Sequence, residues 1–105
     1  MGMAVIEWKM RVETAYTFLE FTLGSEPIRP TDLVEFDIPD DILNLRHRGL
    51  ILSGRGPVWL YAHLVHRAHP FAWVAVFDPR LQGGVVVMNH CPDGPGVGTV
   101  IPVNG

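Results

Sequence analysis

The 105-residue sequence has one cysteine, Cys91, one lysine, Lys9, and charged residues at only 18% of positions. A single cysteine excludes an internal disulfide, and with it the disulfide-stapled class of small extracellular domains. No apolar run reaches the roughly 20 residues that a membrane-crossing helix needs. The opening MGMAVIEWKM also lacks the charged-then-apolar layout of a signal peptide, so the sequence predicts a cytoplasmic protein. Hydrophobic residues fill 48% of positions, which excludes a disordered chain. The length suits one modest core, read as a single domain over residues 1–105 with no repeat or linker.

A net charge of −3 argues against a general nucleic-acid binder. The charge is unevenly spread. Nine of the eleven acids lie in residues 1–41, whereas residues 42–105 hold Arg46, Arg48, Arg55, Arg67 and Arg80 against Asp78 and Asp93. Arginine grips phosphate in a planar, bidentate fashion, so the second half is where a phosphate site is expected. Any one of these arginines is equally an ordinary solvated charge.

The pattern predicts strands at Val5–Trp8, Tyr16–Leu23, Gly49–Ser53, Phe71–Asp78, Gly84–Asn89 and the edge run GTVIPV. A short helix is expected after Pro30, closed by Pro39, with Asp40–Arg48 as a polar connection. A main helix over residues 57–69 starts at Pro57, where the missing N–H costs nothing. Together they predict an α/β (α+β) domain with a mixed sheet of about five strands and a right-handed βαβ unit over residues 49–78.

The junction ILSGRGPVWL draws attention because a strand enters a helix through Ser53, Gly54, Arg55 and Gly56. Glycines let backbone approach a ligand, and a helix N-terminus favours anions. The same residues also suit a plain tight turn. On the following helix, the 3.6-residue period puts Val58, Leu60, Tyr61, Leu64, Val65 and Ala68 toward the sheet. Trp59, His63, His66 and Arg67 then fall on the opposite arc, with His69 at its flank. Tryptophan beside charge suits either base stacking or a subunit interface.

Asp78-Pro79-Arg80 and His90 each follow an apolar strand. Ligands bind outside the carboxyl ends of parallel strands, so His66, His69, Asp78 and His90 are candidates to converge on a metal such as zinc, manganese or iron. Asp78 before Pro79 is also a natural turn former.

SGRGPVW, HRAH, FDPRL and VVVMNH, taken together, resemble the small manganese-dependent ring nucleases of type III CRISPR systems. The resemblance implies cleavage of cyclic tetra-adenylate, a second messenger, and reported action on RNA 3′ ends. It implies His69, Asp78 and Arg80 as catalytic residues; with such a ligand the Ser53, Gly54, Arg55 and Gly56 turn meets the phosphates, and Trp59 stacks an adenine or packs between subunits. It implies Mn²⁺ near His66, Asp78 and His90, and a homodimer, with two dimers sandwiching one ligand as a tetramer. The competing classes are a non-catalytic cyclic-nucleotide sponge, an exonuclease on RNA 3′ ends, and a structural metal-binding domain.

Overall fold

The computed structural model describes residues 5–104. Six strands pair in chain order: β1 (Ile6–Val12), β2 (Tyr16–Leu23), β3 (Gly49–Gly54), β4 (Trp73–Asp78), β5 (Gly83–Asn89) and β6 (Val100–Pro102). β2, β3 and β4 are parallel, while β1 joins β2, and β5 and β6 follow β4, in antiparallel pairs. The expected α+β domain with a mixed sheet is therefore present, with a sixth strand. The predicted first strand is longer than expected, because Ile6–Val12 pairs along nearly the whole of β2. Parallel pairing of β3 with β4 makes the unit across the main helix a βαβ unit, as expected.

Helix α2 (Val58–Arg67) is shorter than the expected 57–69, with Pro57 as its N-cap rather than its first helical residue. A 3-10 turn covers Pro30–Glu35, where the Asp32 carboxylate accepts the Arg29 N–H at 2.7 Å. The stretch expected to be a polar connection carries a further short helix, α1 (Asp40–Leu43). Pro39 begins that helix rather than ending the one before it. Its fixed φ and missing donor suit a helix entrance, and Asp40 and Asp41 favour the positive end of the first turn.

Side-chain alternation splits the core in two. Leu19, Phe21, Leu50, Leu52 and Val74 point to the face covered by Leu60 and Leu64 of α2, by Ala68 just after it, and by Phe36, Ile38 and Ile42. Ile51, Trp73, Ala75 and Val86 point to the other face, joined by Val103. No helix is needed to cover that second face, because the sheet curls and its aromatics shield one another. Trp73 lies where a Gly49 side chain would be, and Phe18 meets Phe77 edge-on at 5.9 Å. Curling is visible at the margins. Arg11 on β1 donates to the Asn104 carbonyl beyond β6 at 3.3 Å, whereas a flat six-stranded sheet would hold its outer strands about 24 Å apart. Among the described residues, no helix is long and apolar enough to cross a membrane.

Candidate functional site

Parallel neighbours end at the same margin of a sheet. β3 therefore delivers Gly54 and β4 delivers Asp78 to one edge. Just beyond them, Arg55 and Pro79 line a single cavity of about 480 Å³ together with Glu20, Ser53, Tyr61 and Phe77. The two motifs expected at carboxyl ends of parallel strands thus border one opening.

Gly54 is required there. Its φ of +145° is reached by few side-chain-bearing residues, and a Cβ would stand 2.5 Å from the Phe21 carbonyl oxygen. The Tyr61 hydroxyl donates to the Gly54 carbonyl at 2.5 Å, anchoring the turn to α2. Burial pushes the Tyr61 pKa up to about 12, so the phenol stays a neutral donor. Arg55 and Gly56 are exposed, and no side chain caps the first turn of α2. The opening therefore has a free guanidinium beside uncapped backbone N–H groups, an arrangement suited to an anion.

Asp78 shapes the next turn. Its carboxylate accepts the Arg80 backbone N–H at 2.9 Å and the Arg80 guanidinium at 3.1 Å. That guanidinium contact holds the Asp78 carboxyl below the usual carboxylate range. The Arg80 side chain is otherwise open to solvent, at 89% exposure, and can reach a ligand at the mouth.

The histidines lie elsewhere. His90 follows β5, and its N–H donates to the Ala72 carbonyl at the start of β4, at 2.8 Å. His69 follows α2, and its ring packs edge-to-face on His90 with centroids 4.7 Å apart. Asp78 closes the other end of β4, about 17 Å from Trp73 at the usual strand rise. The expected convergence of His66, His69, Asp78 and His90 is thus corrected for a single chain. A helix returning antiparallel to its strands carries its C-terminal histidines to the margin opposite the strand ends. Among the described residues, no three His, Cys, Asp or Glu side chains come close enough to hold a metal ion.

The face assignment of α2 is also corrected. Trp59 is half-buried and packs on the larger core, His63 Nε2 donates to the Phe36 carbonyl at 2.8 Å, and Arg67 forms a bidentate pair with Asp37. Trp59 and His63 are thus half-buried against the chain, while Arg67 stays exposed as it reaches the segment after the 3-10 turn, and His66 is exposed as expected. Val58, Ala62 and His66 form the exposed stripe, with Val58 84% exposed although it was expected to face the sheet. Trp59 packs part of its surface on the core and leaves the rest open.

Sequence reasoning passed over Glu20 and Phe77. Glu20 alternates with Leu19 and Phe21 on β2, and stands opposite Ser53 in the parallel register. That signal was readable only once β2 was known to pair with β3.

Residues 21–102 match the family described as CRISPR-associated protein (Cas_csx3). An uncharacterized protein of Aquifex aeolicus (strain VF5) is 41% identical over 103 residues, covering 96% of this chain and 91% of the relative. The match runs through both strand ends, the helix between them and the β5 strand that leads to His90, and on that ground the chain belongs to the Cas_csx3 family of CRISPR-associated proteins.

Proposed function

We propose that this protein is a metal-dependent phosphodiesterase that opens cyclic tetra-adenylate and so switches off a signal of type III CRISPR defence. The observation that carries the reading is the division of the candidate residues between two ends of one sheet. One end offers an anion-suited cavity lined by Arg55 and Pro79, with the Asp78–Arg80 pair flanking Pro79 at that margin, and the other offers His69 beside His90. Such a division makes sense when the ends of different copies meet across a shared ligand. A homodimer stacking on a second homodimer supplies that arrangement, in accord with the family resemblance.

In this reading the Gly54 turn and Arg55 seat phosphates of the ring through backbone N–H groups and guanidinium. Arg80, held in place by Asp78, offsets charge that develops on the phosphoryl oxygens. His69 of the facing copy moves the proton at the scissile phosphodiester as general acid or base. Among the described residues His66, Asp78 and His90 do not come together within one chain, so a Mn²⁺ site would be completed by residues of a second copy or by the ligand's own phosphates.

The test is a single-turnover assay with protein in excess over labelled cyclic tetra-adenylate, in Mn²⁺ and separately in EDTA. Opening to linear products in Mn²⁺ alone is the expected result. Binding without opening favours the sponge, a reading that gains weight because the cavity end is complete without the histidines. Neither binding nor opening removes cyclic tetra-adenylate as substrate and turns the test to RNA 3′ ends.

A further inference from the structure

The phosphate-suited cavity has a carboxylate in its wall. Glu20 lines it together with Ser53 and Phe77, and the same three residues line a second cavity of about 430 Å³ on the curled face of the sheet. The two cavities adjoin along these three residues and together extend from the Arg55 turn toward Lys9 and Arg11 of β1. Glu20 is exposed, and none of the three ion pairs among the described residues engages it. Ser53 sits opposite Glu20 in the parallel register, in a residue only 8% exposed. Phe77 meets Phe18 edge-on, and the Arg11 guanidinium lies 4.9 Å from the centre of the Phe18 ring.

Arg55 at one end, and Lys9 and Arg11 at the other, favour phosphate, whereas a phosphate held against Glu20, where the two cavities share a wall, meets like charge. An occupant that carries phosphate to the Arg55 turn has to present hydrogen-bond donors and an apolar face to the rest. We infer that Glu20 and Ser53 read the edge of an amino-bearing nucleobase, adenine in the proposed ligand, with Phe77 as the apolar wall beside its ring. Glu20 accepts from the exocyclic amine, and the Ser53 hydroxyl donates to the neighbouring ring nitrogen. Ser53 thus serves the base through its side chain, while Gly54 and Arg55 serve the phosphate. The inference rests on the function proposed above and assigns its base specificity to residues outside the phosphate turn.

The experiment measures binding in EDTA of cyclic tetra-adenylate and of cyclic tetra-inosinate, in which an oxygen acceptor replaces each exocyclic amine. Wild-type protein is expected to prefer the adenine ring by on the order of tenfold or more. Glu20→Gln, which can donate to that oxygen, is expected to bring the preference close to one without changing the thermal melt. Ser53→Ala is expected to weaken adenine-ring binding severalfold. A Glu20→Gln variant that keeps the full preference overturns base reading and leaves the phosphodiesterase reading standing. Wild-type protein that binds neither ring overturns both.

Discussion

The Tyr61 hydroxyl reaches across the first turns of α2 and donates to the Gly54 carbonyl at 2.5 Å. One hydrogen bond thereby couples the helix to the turn that ends β3, and the ring also meets Phe21 edge-on at 5.3 Å. Tyr61→Phe keeps the ring packing and removes only the donor. It should cost about 0.5–1.5 kcal/mol in urea unfolding. Affinity for cyclic tetra-adenylate in EDTA should fall severalfold as the turn loosens. Unchanged affinity at reduced stability would separate the turn from ligand binding.

The β3–α2–β4 unit was legible in the sequence because a short apolar run, Pro57, a 3.6-residue period and a second apolar run each carry their own signal. The two ends of the site followed from it in part. Carboxyl ends of parallel strands were expected together, and Gly54 and Asp78 are together. The histidines were misplaced because spacing along a chain does not say which margin a helix C-terminus reaches. Trp59 and His63 were misread for a related reason: period separates the arcs of a helix but cannot show that the segment at Phe36–Asp37 covers one of them. The short helix at Asp40 is not legible in the sequence because Pro39 suits the end of one helix and the start of the next alike.

Arg67 offers a test of that reassignment. Its guanidinium lowers the Asp37 carboxyl pKa through hydrogen bonds at 3.0 and 2.6 Å. A carboxyl lowered on folding adds stability that is fully present above its unfolded value, near pH 4. That share is lost as pH falls through the lowered folded value. Wild-type stability should therefore drop more steeply than that of Asp37→Asn as the pH falls below about 4. Arg67→Ala should leave ligand affinity unchanged, since the pair is structural. Weakened binding in Arg67→Ala would return this arginine to the site.

Arg55 and Asp78 should separate binding from turnover. Arg55 is exposed beside the turn and needed by no ion pair among the described residues, so Arg55→Ala should weaken binding with little effect on the rate of the bound complex. Asp78 holds Arg80 rather than the ligand, so Asp78→Ala should abolish turnover while binding in EDTA stays largely intact. Titration and single-turnover rates, measured on the same preparations, give both quantities. Wild-type cleavage by Asp78→Ala would remove the proposed centre.

The central claim is that the reactive site is completed between copies, because His69 and Asp78 occupy opposite margins of the sheet. The most direct measurement mixes two inactive variants, His69→Ala and Asp78→Ala, and follows opening of labelled cyclic tetra-adenylate in Mn²⁺. Each variant retains the end that the other has lost. The account predicts that the mixture recovers a substantial fraction of wild-type activity while each variant alone stays inactive. A mixture of folded, ligand-binding variants that remains as inactive as its components would contradict it.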